Sequence, residues 1–231
     1  MTIQDMHYDF KMKFNKIDSQ KNRNLRIQEI DWLFNEAEQI FVKLVAYPRM
    51  FNHLGFEVNQ RSTEDIREVL QKEKITPVEN QVVFPEDYEY FIKGSCLITK
   101  DRCKKQSASF TPIQHDDDLE NTAFYKSDFD WREVVGMFNK TGIELLVKYF
   151  TVDAFNLTYI KKRPYICFPT GTSQGQYTLP SGVVLTENQD CVLSDITHPE
   201  IVDIAVMLAS GKIQASDFQI RMAKLSVNQL M

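Results

Sequence analysis

The sequence predicts an α+β fold. Helices from the two ends of the chain form a bundle, and the middle forms a central antiparallel β-sheet insertion, a meander or small barrel. Three observations carry this expectation. Ile27, Ile30, Leu33, Phe34, Ala37, Ile40, Phe41, Leu44 and Val45 recur at the helical period and make one wide apolar stripe. Ile143, Leu145, Val147 and Tyr149 alternate along one face of an extended segment. After Thr197 the helical period returns, with Ile201, Ile204, Ala205 and Leu208 three and four residues apart. The organisation that follows has N-terminal helices in 1–75 packing with C-terminal helices in 197–231, and a β-rich region over 76–196. The whole forms a single composite domain.

In chain order, Thr2 with Asp5 caps a first helix whose apolar positions are Met6, Phe10 and Phe14, ending near Asp18 and Ser19. Lys21 to Arg26 reads as a solvated basic link, and Pro48 ends the long second helix. After a turn around Asn52 to Gly55, Ser62 or Thr63 starts a shorter helix through Ile66, Val69 and Leu70, closed before Pro77. The pattern then shifts to period two. Gln81 to Phe84 reads as a short strand, and Leu97 to Lys100 and Lys104 to Phe110 flank Asp101 and Arg102 as a hairpin. A stronger hairpin joins Glu133–Phe138 to Ile143–Tyr149, with Gly142 free to take a positive φ. Phe155 to Lys162 is the third strand of that antiparallel meander, since the connections are too short for a crossover helix. Thr197 and Glu200 form a capping box for the next helix, which Gly211 ends, and Ser216 with Gln219 caps a last helix through Ile220, Ala223 and Val227.

Composition narrows the function. The chain has 231 residues, 43% hydrophobic and 26% charged, the balance of an ordinary globular protein. A net charge of -5 argues against strong sequence-independent nucleic-acid binding, which needs a basic footprint, but is compatible with a wall past which DNA slides. No run of eighteen apolar residues exists, and Asp5, His7 and Asp9 interrupt any signal-peptide stretch, so a soluble cytoplasmic product without membrane contact is expected. Cys96, Cys103, Cys167 and Cys191 lie 7, 64 and 24 positions apart, which offers no ligand pair; they read as packing thiols.

Several constellations have chemical potential. His115-Asp116-Asp117-Asp118 is the densest metal-capable cluster, yet three adjacent carboxylates reach one ion only if a loop folds around it, so a solvated acidic loop is expected. The loop Pro169 to Gln176 has two glycines and several hydroxyls but lacks the Gly-Lys-Ser/Thr ending of a phosphate loop. Lys161, Lys162 and Arg163, interleaved with Tyr159 and Tyr165, suit an acidic partner surface better than nucleic acid. His7, His53, His115 and His198 are scattered, and no serine or cysteine sits in a nucleophile motif, so no catalytic residue, metal ligand or cofactor is expected. Phe110, Phe124, Tyr125, Phe129 and Trp131 fall in or beside polar segments, and exposed aromatics anchor interfaces.

Two segments carry a family resemblance. The strand Phe155-Asn-Leu-Thr-Tyr-Ile-Lys-Lys-Arg-Pro164, followed through a loop by the helix Thr197-His-Pro-Glu-Ile-Val-Asp-Ile-Ala-Val206, resembles a segment of the head-to-tail connector proteins of tailed bacteriophages. Glu29-Ile-Asp-Trp-Leu-Phe-Asn-Glu-Ala-Glu-Gln-Ile-Phe-Val-Lys43 is similar to an early helix of the neck-ring proteins of crAss-like podoviruses. The resemblance implies a non-enzymatic virion protein made in the bacterial host cytoplasm, one subunit of a dodecameric ring in the neck between capsid and tail. Its implied partners are the portal protein and neighbouring ring or tail proteins, with packaged DNA passing close by in the channel. Lys161, Lys162, Arg163, Tyr165, Thr172 and Gln174, in the basic turn and the polar loop after it, are the expected neighbour-binding residues. The competing expectation is a soluble adaptor that grips a partner with a sheet edge or an aromatic surface; an enzyme of unfamiliar type comes third.

Overall fold

A computed structural model describes residues 1–15, 25–46, 64–100, 105–113 and 127–213, with the side chains of 211–213 left aside. The His115 to Asp118 cluster, His53, Cys103, Phe124, Tyr125, the turn at Asn52, the stop at Pro48 and the helix expected after Ser216 lie outside the described residues. The fold is α+β, as the sequence predicts. Contacts divide the chain into two units, Met1–Glu68 with Arg163–Met231, and Val69–Lys162.

Among the described residues, the first unit holds three α-helices. Helix α1 spans Ile3–Asn15 and opens with the expected reciprocal cap: the Thr2 amide donates to Asp5 Oδ2 at 3.1 Å and the Asp5 amide to the Thr2 hydroxyl at 3.3 Å. Ile3, Met6, Phe10 and Phe14 point into the core. Helix α2, Ile27–Ala46, begins with the Arg26 amide bonded to the Glu29 carboxylate at 2.7 Å and buries Ile30, Leu33, Phe34, Ala37, Phe41 and Val42. Phe34 meets Phe10 edge-to-face with ring centroids 5.7 Å apart, which locks the two helices together. Helix α3, His198–Ile213, is apolar nearly all round: Ile201, Val202, Ile204, Ala205, Val206, Met207 and Ala209 are buried while Asp203 is exposed. It packs on both α1 and α2, so it needs more than the single stripe expected of it, and helical backbone continues through Gly211.

Among its described residues, the second unit is a mixed sheet of seven strands: β1 Leu70–Ile75, β2 Gln81–Val83, β3 Tyr88–Thr99, β4 Gln106–Ile113, β5 Glu133–Phe138, β6 Gly142–Leu145 and β7 Thr151–Lys161, in the order β1-β7-β3-β4-β5-β6-β2. Both expected hairpins form, as β3–β4 and β5–β6. Three expectations fail. The segment through Leu70 is not helical: after a single 3-10 turn at Arg67–Val69, Leu70–Ile75 pairs along Phe155 to Ile160 of β7, and tertiary pairing overrides the helix-favouring Lys and Glu residues. The meander is broken, because β7 is eleven residues long and satisfies more backbone groups against twelve-residue β3 than against four-residue β6. Third, β4 and β5 are parallel, and the stretch 114–132 supplies the dozen or more residues that a parallel return requires.

Gly142 also serves otherwise than predicted. Its φ is not positive; a Cβ there would lie only 1.9 Å from the Val82 carbonyl oxygen, so glycine is required for β2 to approach β6. Positive φ occurs instead at Glu79 and Asn80, the central pair of the tight turn joining Val78 to Gln81. The sheet's core gathers Phe110, Phe155, Val134, Ile143, Leu145 and Leu157, with Phe84, Tyr88 and Phe91 against it.

Candidate functional site

The chain between β7 and α3 has almost no ladder of its own. Among the described residues it contains a 3-10 turn at Pro169–Gly171 and two two-residue strands, β8 Tyr177–Thr178 and β9 Val184–Leu185. Helix α2 organises it with a polar stripe. Asp31, Asn35 and Glu38 are spaced four and three residues apart, which puts all three on one helical face.

Each makes a defined contact. Asn35 grips the backbone of Ile166 in both directions, its Nδ2 donating to the carbonyl at 2.8 Å and its Oδ1 accepting from the amide at 2.9 Å, in place of a strand partner. Asp31, fully buried, accepts from the Phe168 amide at 3.0 Å and the Tyr177 hydroxyl at 2.6 Å, and its other oxygen lies 2.7 Å from His7 Nε2 on α1. Glu38 takes the Arg163 guanidinium at 3.3 Å and the Cys191 thiol at 3.4 Å. Buried charge survives only where it is compensated: Asp31 accepts two hydrogen bonds beside His7, and Glu38 lies against the Arg163 guanidinium and accepts from the Cys191 thiol.

The environment shifts the groups around it. Burial and then the hydrogen bond to Asp31 raise the Tyr177 hydroxyl well above an ordinary phenol. Burial, then the nearby charge of Asp31, pushes Tyr165 up to about 12. Burial, followed by the Glu38 charge, raises the Cys191 thiol, and burial leads the rise at Cys167. These thiols are packing groups with suppressed reactivity, as expected. The His7 and Asp31 pair has the look of an acid–base dyad, but the imidazole is packed between Phe34 and Phe168 at centroid distances of 5.3 and 5.2 Å, and its Nδ1 is buried. A general base must reach the proton it takes, so this dyad reads as architecture.

Beside the stripe, α2 lines a cavity of about 750 Å³. Trp32, Tyr165 and Tyr177 supply its aromatic wall, Leu33 and Leu179 add apolar surface, and among the described residues Glu29 is its charged lining residue. Trp32 is 57% exposed.

The residues singled out from sequence are scattered by the fold. Lys161, half-buried at the end of β7, and exposed Lys162 belong to the sheet unit, where the Lys162 ammonium donates to the Glu86 carbonyl at 2.8 Å. Arg163 belongs to the helical unit and turns its guanidinium inward to Glu38, with 6% of the side chain exposed. Tyr165 lines the cavity; Thr172 is half-buried, its hydroxyl donating to the Pro169 carbonyl at 2.7 Å; Gln174 is exposed. Of the aromatics flagged beside polar segments, Phe110 and Phe129 are core residues, whereas Trp131 is 84% exposed. Sequence reading missed His7, Asp31, Asn35, Glu38 and Tyr177. The available signal was the spacing of Asp31, Asn35 and Glu38 inside a helix that is otherwise apolar on its packed faces.

Among the described residues no group of three histidine, cysteine or acidic side chains could hold a metal ion, and no helix is long and apolar enough to cross a membrane. No protein-family model matches the sequence, and a search of the curated proteins finds no match to it.

Proposed function

We propose that this chain is a structural virion protein, a subunit of the ring that connects portal to tail and forms part of the genome channel. The observation that carries the proposal is Trp131. It stands at the tip of a turn held by paired backbone bonds between Asp128 and Glu133, at 2.9 and 3.0 Å, and by Asp128 Oδ1, which accepts from the Asp130 and Trp131 amides at 2.7 and 3.1 Å. The adjacent Phe129 is buried and anchors the turn. An indole held out by rigid backbone gives up little entropy when a neighbour covers it, the economy expected of an interface anchor. Tyr149, 81% exposed in the same unit, is a second such residue. The resemblance of the Phe155 to Val206 region and of α2 to connector proteins supplies the identity of the neighbours, and the net charge of -5 suits a channel wall that DNA must not adhere to.

Light scattering of the purified chain, alone and mixed with a candidate portal protein, tests this reading. A closed ring, or a stoichiometric complex with portal, is expected, and Trp131→Ala is expected to weaken it at least about tenfold without lowering thermal stability. A chain that stays monomeric under both conditions rules the reading out. A second reading, a soluble adaptor that captures an extended peptide, is favoured by the β2 edge: it is three residues long, uncharged, and leaves Val83 64% exposed, whereas the opposite edge, β1, exposes Gln71, Lys72, Glu73 and Lys74.

A further inference from the structure

The cavity beside α2 has a chemistry of its own, independent of ring assembly. Its volume of about 750 Å³ falls within the range of small-molecule sites, roughly 300–1,000 Å³, and is far larger than one lysine side chain would fill. Among the described residues, three aromatic side chains, Trp32, Tyr165 and Tyr177, line it, and no lysine, arginine or histidine does. Glu29, exposed and carrying one hydrogen bond from the Arg26 amide, supplies negative charge at the lining, and the buried Asp31 lies directly behind the Tyr177 hydroxyl. Aromatic faces carry negative potential and attract cations that have shed water, most strongly at indole. An anion would be repelled by the Glu29 carboxylate at the lining.

We propose that this cavity binds a small organic cation, an ammonium group carried on an apolar body, with the charged end among Trp32, Tyr165 and Tyr177 and close to Glu29. A neutral apolar molecule would gain the burial but not the electrostatic attraction, so charge selectivity is the property that separates a cation site from a merely greasy hollow. The bond from the Tyr177 hydroxyl holds that ring, and the pins at Ile166 and Phe168 hold the backbone beside Tyr165, before any ligand arrives, which reduces the ordering cost of binding.

Titration calorimetry of the full chain with benzyltrimethylammonium, benzyl alcohol and 3-phenylpropionate tests the assignment. Saturable binding of the cation at least about tenfold tighter than of the alcohol, with the carboxylate weakest, is expected. Trp32→Leu keeps apolar bulk and removes the indole face, and is expected to weaken the cation about tenfold while leaving the alcohol nearly unchanged. Glu29→Gln is expected to weaken it several-fold and to flatten its salt dependence. Trp32 and Glu29 are both exposed, so folding of these variants is expected to survive and is verified by circular dichroism. Equal affinity for cation and alcohol, an unchanged cation affinity in Trp32→Leu, or no saturation at concentrations on the order of 10 mM overturns the proposal. Tighter binding of N-acetyl-lysine methylamide than of benzyltrimethylammonium overturns the small-molecule assignment in favour of a protein side chain.

Discussion

Replacing Asp31 by alanine removes the acceptor at the centre of the helical unit. Three groups lose it together: the Phe168 amide at 3.0 Å, the Tyr177 hydroxyl at 2.6 Å and His7 Nε2 at 2.7 Å. A buried donor left without an acceptor costs about 1–3 kcal/mol, but the three costs do not sum, because the Tyr177 ring and the chain around Phe168 relax together. Breaking a buried charged network by removing one member typically costs about 3–5 kcal/mol, and that is the expected loss here. For a chain of this length the corresponding fall in Tm is roughly 6–20 °C, at about 2–4 °C per kcal/mol.

The assay follows from the placement of the two tryptophans. Trp32 lies in the helical unit and Trp131 in the sheet unit, so urea unfolding followed by fluorescence in a Trp131→Phe background reads the affected unit by itself. Asp31→Asn is expected to cost less than alanine, since its amide oxygen still accepts from the Phe168 amide and the Tyr177 hydroxyl. The pairing of His7 with Asp31 predicts a coupling of about 1 kcal/mol or more in a double-mutant cycle with His7→Ala. An Asp31→Ala protein within about 1 kcal/mol of the parent would refute the claim that this carboxylate organises the segment before α3.

Other perturbations read other parts of the molecule. Gly142→Ala, which drives a Cβ against the Val82 carbonyl, is expected to cost about 1–3 kcal/mol or more in chemical denaturation, whereas Gly175→Ala, at φ 66 with open space around it, costs only about 1–2 kcal/mol of backbone strain. In a Cys103→Ser chain, Cys96, Cys167 and Cys191 are expected to react with a thiol reagent at neutral pH only as fast as the protein opens, because all three are buried and Cys96 is pushed up to about 12 by that burial; rapid stoichiometric labelling of the native chain would contradict this. Tyr165 holds its proton more tightly folded than unfolded, so its contribution to stability is complete below pH about 10 and is lost as pH rises towards about 12; Tyr165→Phe is therefore expected to lose less stability than the parent between pH about 9 and about 11.5.

Strong local patterns were legible in the sequence. The Thr2 and Asp5 cap, the α2 stripe and the β5–β6 hairpin each depend on residues a few positions apart, and each forms. Pairings that depend on distant residues were not. Leu70 to Ile75 has a helix-compatible composition and becomes a strand only because β7 offers a long unpaired flank. Lys161, Lys162 and Arg163 read as one basic patch because sequence cannot show that Glu38, far away in the chain, turns Arg163 inward. Trp131 and Phe129 are two residues apart in the same kind of sequence, yet one is buried and the other exposed, a distinction set by which side of the Asp128 turn each occupies.

Helix α2 shows how one element can serve packing and recognition without conflict. Its apolar stripe joins the bundle, its Asp31, Asn35 and Glu38 stripe fixes an otherwise unladdered segment, and its Glu29 and Trp32 line the cavity. The second of these roles constrains the third. Asn35 holds Ile166 next to Tyr165, and Asp31 holds Tyr177 through its hydroxyl, so the two tyrosines of the cavity wall are placed by residues behind it. The Tyr177 ring, tied through its hydroxyl, keeps its place when the cavity is empty, and the backbone beside Tyr165 is fixed, so the wall discriminates by geometry and charge more than by collapse onto whatever enters. On this argument Asn35→Ala weakens a cation held between Trp32 and Tyr165 although Asn35 is absent from the cavity lining, and it does so in proportion to the freedom that Ile166 regains.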